Sequence, residues 1–224
     1  IKKTAELFKS KILDYANYML KLPVETMDIR ESNIVDKETG KVLLSMADLA
    51  IESFYSLSYC THITAEASNQ CKDNTFSFGA CFAEVEVDIP LGKVEVLNII
   101  NVHDSGVLIN PKLAEAQVHG GMSMGLGYAL SEQLLYNEKG KMLNDNLLDY
   151  KLPTSMDTPA LHVDFANTVD SSGPYGNKSL GEPPAIPVAP AIRNAVLNAT
   201  GVAIDTLPLN PQKLVEKFTQ AGLI

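Results

Sequence analysis

Two stretches of the chain combine residue types that could do chemistry. One is Gly181-Glu182-Pro183-Pro184. A residue before proline is pushed out of the helical region, so Glu182 is expected to be extended and braced by two stiff rings. Gly181 leaves room for a ligand, and Leu180, Ala185 and Ile186 supply an apolar surround. A carboxylate desolvated there has its pKa raised, which suits a general base. The other is Gln117-Val118-His119-Gly120-Gly121-Met122-Ser123-Met124-Gly125-Leu126-Gly127. Each glycine weakens a helix by about 1 kcal/mol relative to alanine, so such a run calls for close approach of a backbone or a ligand. It is not a dinucleotide-binding fingerprint: Leu130 stands where a third glycine belongs, and no strand immediately precedes the run. Taken singly, the glycines also fit a tight helix crossing, and Glu182 also fits a solvated loop.

The elements that must position these residues follow from periodicity. Ala5, Phe8, Ile12, Ala16 and Met19 lie on one helical face that Pro23 ends. Met27 to Leu44 reads as two short strands around Asp36-Lys37-Glu38-Thr39-Gly40, and Ser45 caps a helix from Met46 to about Phe54. Tyr55 to Asn74 reads as a connection. Glu84, Glu86 and Asp88 alternate with Val85, Val87 and Ile89, and Pro90-Leu91-Gly92-Lys93 turns the chain into a second strand, Val94 to Val102: a β-hairpin. A helix opens near Pro111 and runs through Ala129 towards Leu135. Residues 166–190 are rich in glycine and proline, a long loop of the kind that often carries function. Pro190 and Pro211 each suit the start of a closing helix. The fold class is α+β, with β-hairpins and short strands packed against amphipathic helices in two layers. Residues 1–75 form a helical lead and connection, and residues 76–224 form the main region.

Composition narrows the function classes. The 224 residues carry 18 Lys+Arg against 27 Asp+Glu, a formal charge of −9, with no dense basic stripe to neutralise nucleic-acid phosphates. No run approaches the roughly 18 apolar residues of a membrane span. Cys60, Cys71 and Cys81 are an odd set without a C-x-x-C pair, so neither a disulfide framework nor a zinc ribbon is supported, and a four-thiolate iron–sulfur cluster cannot form within the chain. They are expected to be reduced, buried thiols of a cytoplasmic protein. The histidines form no zinc-hydrolase pair. The chain opens on Ile1 without a signal-peptide pattern, and a processed or partial product is expected.

Five motifs in series go further. Phe78-Gly79-Ala80-Cys81-Phe82-Ala83-Glu84-Val85-Glu86-Val87-Asp88 comes first, then His103-Asp104-Ser105-Gly106 with Ile109-Asn110-Pro111. Gln117 to Gly127, Gly173-Pro174-Tyr175-Gly176 and Leu180-Gly181-Glu182-Pro183-Pro184 follow. In this order and spacing they closely resemble the C-terminal part of the molybdenum-binding subunit of the xanthine dehydrogenase/aldehyde oxidase family. The resemblance is continuous from about Phe76 to Leu214 and weaker before that. It implies a fold of the molybdenum-cofactor-binding domain type and a molybdenum hydroxylase, which places water-derived oxygen on an electrophilic carbon. The cofactor it implies is molybdenum on molybdopterin, in a cytosine dinucleotide form in bacterial relatives, with electrons leaving through iron–sulfur clusters and FAD. The family's catalytic glutamate, the base, matches Glu182. Its cofactor-contacting glutamine matches Gln117, and its small residues lying against the cofactor match Gly120 and Gly121. Gly181 is carried over beside them as a cofactor contact. His119 departs from the acid common there and takes no role.

The family's subunit is much longer, so the resemblance also implies partners. These are the N-terminal half of the molybdenum subunit and the Fe-S and FAD subunits or domains, and this chain is not expected to be active alone. Xanthine or another purine is the default substrate, with nicotinate, aldehydes and aromatic CoA thioesters as alternatives. From other classes, a non-catalytic interaction module would need no Glu182. A hydrolase would pair Glu182 with Asp170 or Asp164 and need no metal.

Overall fold

The computed structural model of the protein describes residues 1–70 and 73–224; Cys71 lies outside them. Two compact units emerge, Ile1–Lys72 and Asp73–Ile224.

The first unit is built on helix α1 (Lys2–Leu20), strands β1 (Met27–Arg30), β2 (Asn33–Asp36) and β3 (Val42–Ser45), and helix α2 (Met46–Tyr55). The strands make one antiparallel sheet in the order β1-β2-β3. That is three strands where two were read from the sequence. The extra reversal falls at Glu31 and Ser32, which adopt φ 47° and 60°. Glycine, asparagine or aspartate normally marks such a turn, so no sequence signal points to it. The apolar stripe of α1 also packs over only part of its length. Ile12, Leu13, Tyr15 and Ala16 are buried against Met27, Ile34 and Leu49, whereas Ala5 and Phe8 are exposed. Four-residue strands span about 13 Å, and a 19-residue helix about 28 Å, so the sheet is too short to cover it.

The start of α2 is where the sequence places it. The Ser45 hydroxyl oxygen accepts from the backbone N–H of Asp48 at 3.0 Å, and the hydroxyl donates to the Asp48 carboxylate at 2.6 Å. Ser45→Ala is expected to destabilise this unit by about 1 kcal/mol, read as a lower denaturant midpoint at unchanged slope.

The second unit contains strands β4 (Phe78–Asp88), β5 (Lys93–Asp104) and β6 (Ala160–Phe165), with helices α3 (Pro111–Leu130), α4 (Val188–Thr200) and α5 (Pro211–Gln220). β4 and β5 are the expected antiparallel hairpin, and β6 joins β5 in parallel to give the order β4-β5-β6. β6 has no counterpart among the elements read from the sequence. Leu161, Val163 and Phe165 alternate inward over only six residues. Such a segment gains its strand character from the neighbour it pairs with. Val118, Met122, Leu126 and Ala129 of α3 form a core with Val188, Ile192 and Val196 of α4, Leu214 and Phe218 of α5, and Val96 and Ile99 of β5. That is the helix-on-sheet layering of an α+β fold.

α3 and α5 both open on Asn-Pro. Asn110 accepts from Leu113 N–H at 3.1 Å and Asn210 from Lys213 N–H at 3.0 Å, with proline at the first helical position of each. α3 ends at Leu130, short of Leu135, and α4 begins at Val188, so Pro190 lies within its first turn rather than at its start. The thiols also depart from expectation. Cys60 is exposed, and Cys81 is half-buried with its thiol pKa pushed up to about 11 by desolvation. Both are free. Cys60 sits in the irregular stretch after α2, where no layer covers it. Among the described residues, no helix is long and apolar enough to cross a membrane, and no His/Cys/Asp/Glu group could hold a metal ion.

Candidate functional site

α3 has two working faces. Val118, Met122, Leu126 and Ala129 point into the core, while Gln117, Gly120, Gly121, Met124 and Tyr128 line a cavity. Across it lie Gly181, Glu182, Ala185 and Ile186, with Ala189 and Leu207 completing the wall. The cavity encloses about 700 Å³, within the range of sites that take an organic cofactor or substrate. All five residues singled out from the sequence, Gln117, Gly120, Gly121, Gly181 and Glu182, border this one space.

The glycines divide by task. A Cβ on Gly121 would lie 2.4 Å from Pro184 Cβ and 3.0 Å from Ala185 N, and one on Gly125 would lie 2.5 Å from Val188 Cβ. Both therefore let α3 press against the segment that carries Glu182, as a tight crossing requires. Gly120 and Gly181 differ, since nothing stands within 4 Å of a Cβ at either, and both leave bare backbone at the cavity edge.

The segment around Glu182 is held chiefly by its carbonyls. Ser77 Oγ donates to Ser179 O at 2.6 Å, Gln117 Nε2 to Gly181 O at 3.2 Å, and Asn101 Nδ2 to Pro184 O at 3.0 Å. Ala185 N–H closes a turn on Glu182 O at 3.0 Å. Residues 181–187 thus form a bend running into turns. Glu182 itself is exposed, and among the described residues its carboxylate has no hydrogen-bond or ion-pair partner. The apolar burial expected for it is not supplied by this chain. Ile186, which lines the same cavity, is itself 66% exposed.

Upstream, two further motifs meet. Asp104 accepts from Lys178 Nζ at 2.6 Å and from the Thr168 hydroxyl, and Lys178 N–H donates to Ser105 O at 2.8 Å. A Cβ on Gly106 would collide with Gly176 O at 2.2 Å, so the His103–Gly106 and Gly173–Gly176 motifs dock through glycine. The Lys178 and Thr168 hydrogen bonds hold the Asp104 carboxyl below its ordinary pKa. A depressed carboxylate contributes stability above its unfolded value near pH 4, and that contribution is lost as pH falls through the folded value. The Lys178 side chain is only 8% exposed, so Lys178→Met is expected to destabilise the protein by about 2 kcal/mol at pH 7. Below pH 4 the difference should shrink, which denaturant melts at several pH values would measure.

Asp170 and Asp164 do not border the cavity. Asp170 is occupied as a turn acceptor for Ser172 and Gly173, and Asp164 accepts from Phe165 N–H. His119 is half-buried and also lies off the cavity. Sequence reasoning missed Met124 and Tyr128, although they stand seven and eleven positions beyond Gln117 on the same helical face. It also missed Asn101, whose only signal is an amide inside an apolar strand.

Comparison with known proteins decides the family. Residues 1–159 match the model of the molybdopterin cofactor-binding domain. The chain belongs to this family. It is 47% identical over 226 aligned positions to the xanthine dehydrogenase molybdenum-binding subunit of Escherichia coli O157:H7, covering 100% of this chain and 30% of that protein. The aldehyde oxidoreductase molybdenum-binding subunit PaoC of Escherichia coli K12 is 37% identical over 144 positions, 63% of this chain and 20% of that protein. Among solved structures, the Cu,Mo-CO dehydrogenase in its carbon monoxide-reduced state superimposes with a TM-score of 0.73 at 26% identity. That match covers 98% of this chain and 28% of the other. Quinoline 2-oxidoreductase from Pseudomonas putida 86 gives 0.75 at 24% identity, a likeness of fold. The chain is similar to the molybdenum-binding subunits of xanthine dehydrogenase and aldehyde oxidoreductase, and it spans about 30% of the length of the xanthine dehydrogenase subunits.

The cavity fits a molybdopterin. Its volume suits the group, bare backbone at Gly120 and Gly181 admits a flat ring system closely, and Gln117, whose Nε2 faces Gly181 O, keeps Oε1 without a hydrogen-bond partner among the described residues.

Proposed function

We propose that this chain supplies one wall of the molybdenum–molybdopterin site of a hydroxylase, and with Glu182 its general base. The observation that carries the proposal is the convergence of Gln117, Gly120, Gly121, Gly181 and Glu182 on one cavity. When bound, the cofactor supplies a Lewis-acidic, two-electron centre that delivers water-derived oxygen to an electrophilic carbon. Gln117 orients it through its amide oxygen, Gly120 and Gly181 let it lie against the backbone, and Gly121 keeps α3 close to the segment that carries Glu182. Glu182, unpaired at the cavity edge, takes up the proton released as that oxygen becomes nucleophilic. The other chain or domain that closes the cavity would shield Glu182 from bulk water.

The substrate we assign is xanthine or a related purine, because the 47% relative is named for xanthine and the aldehyde oxidoreductase subunit stands at 37%. The dinucleotide form of the pterin is assigned as cytosine. Residues 76–224, which contain every residue lining the cavity, act as the cofactor-binding region, and residues 1–75 precede it. The remaining part of the molybdenum subunit and Fe-S and FAD partners complete a cytoplasmic enzyme. Native mass spectrometry of the gently purified complex, followed by turnover of xanthine in ¹⁸O-labelled water, tests this. A complex with larger partners, a molybdopterin mass and ¹⁸O-labelled product is expected. Conversion without label, or without reduction of a redox dye, would contradict it.

A further inference from the structure

We propose that Asn101 is a positioning residue for Glu182, acting through the carbonyl of Pro184. The inference rests on the reading of Glu182 as the base. β5 turns Val96, Ile99 and Asn101 towards the helices, and Asn101 is fully buried there. Its Nδ2 donates to Pro184 O at 3.0 Å, while its Oδ1 has no hydrogen-bond partner among the described residues. An amide buried with its acceptor unmet stabilises a core less than an apolar side chain of similar size. What it supplies instead is direction.

The need for direction comes from the prolines. Pro183 and Pro184 have no N–H, so the chain just after Glu182 can be gripped only by its carbonyls. Two side-chain amides do this from opposite ends, Gln117 at Gly181 O and Asn101 at Pro184 O, with Glu182 between them. Pro184 is also pressed against α3 where Gly121 lacks a Cβ. Removing the Asn101 donor frees one end of the bracket without touching the cavity, whose lining does not include Asn101. The carboxylate then samples positions away from the reacting oxygen, and displacements on the order of 1 Å cost up to about 100-fold in rate.

The test uses the assembled holoenzyme with Asn101→Leu and Asn101→Asp. For Asn101→Leu, kcat per molybdenum is expected to fall at least about ten-fold with KM within about two-fold, because binding surfaces are intact. Hydrogen exchange at the backbone amides of Gly181, Glu182, Ala185 and Ile186 is expected to quicken, a readout independent of turnover. Asn101→Asp can donate to Pro184 O only as the neutral acid, so its kcat should recover as pH falls, along a titration the parent enzyme lacks. If Asn101→Leu does not assemble, this pH dependence alone decides. Unchanged kcat per molybdenum together with unchanged exchange, or an Asp variant with the parent's pH profile, would overturn the proposal. Glu182→Gln run alongside separates the two ideas. Full turnover there would remove the base, whereas quickened exchange in Asn101→Leu would still report the hold on the segment.

Discussion

Glu182→Gln should abolish hydroxylation while leaving molybdenum content nearly unchanged. The amide keeps the shape of the side chain and the turn in which Ala185 N–H bonds Glu182 O, so the cavity wall survives. It removes the ability to hold a proton, and loss of a positioned general base lowers rates by about 10²–10⁴-fold. Because no described residue pairs with the carboxylate, its replacement breaks no ion pair or hydrogen bond and should leave stability within about 0.5 kcal/mol. Steady-state turnover with metal analysis on the same sample distinguishes a lost base from lost cofactor. Retained turnover would remove Glu182 from the chemistry.

A matched pair of glycine substitutions should separate packing from cofactor contact. At Gly121 a Cβ would lie 2.4 Å from Pro184 Cβ, so Gly121→Ala must push the Glu182 segment away from α3. Overpacking of this kind costs about 1–3 kcal/mol, against roughly 1 kcal/mol gained from helix propensity. Stability should fall or stay level, and kcat should fall with the displaced segment. At Gly120 nothing stands within 4 Å, so Gly120→Ala should stabilise the cofactor-free protein by about 0.5–1 kcal/mol. The same methyl occupies backbone-facing space that the bound pterin needs, so molybdenum occupancy should drop several-fold. Greater stability with less cofactor is an opposed pair of effects that a purely structural helix glycine would not give. Thermal melts of the cofactor-free form and metal analysis of the loaded form measure both.

The hairpin of β4 and β5, the cap at Ser45 and the helix starts at Pro111 and Pro211 are local features, and each formed where the sequence placed it. The reversal at Glu31-Ser32 was not legible, since left-handed turns without glycine or asparagine are imposed by the surrounding sheet. β6 was missed for a related reason: six alternating residues become a strand only beside β5. At the site, motif order brought Gln117 and the Gly181-Glu182 pair to one cavity although 64 residues separate the hydrogen-bonded Gln117 and Gly181. The burial of Glu182 was misjudged because neighbouring apolar residues in sequence, such as Ile186, do not cover it in space. The separate tasks of Gly120 and Gly121 could not be told apart either, since which glycine faces Pro184 is a property of the tertiary contact.

In the proposed enzyme, the cavity between α3 and residues 181–186 holds the molybdenum cofactor with Glu182 at the metal. Anomalous diffraction at the molybdenum edge, from crystals of the loaded complex, tests it most directly. A single molybdenum peak at the mouth of this cavity, with the Glu182 carboxylate as the nearest ionisable side chain of this chain, is the expected result. A peak outside the cavity, or one with Glu182 turned away from it, would contradict the claim.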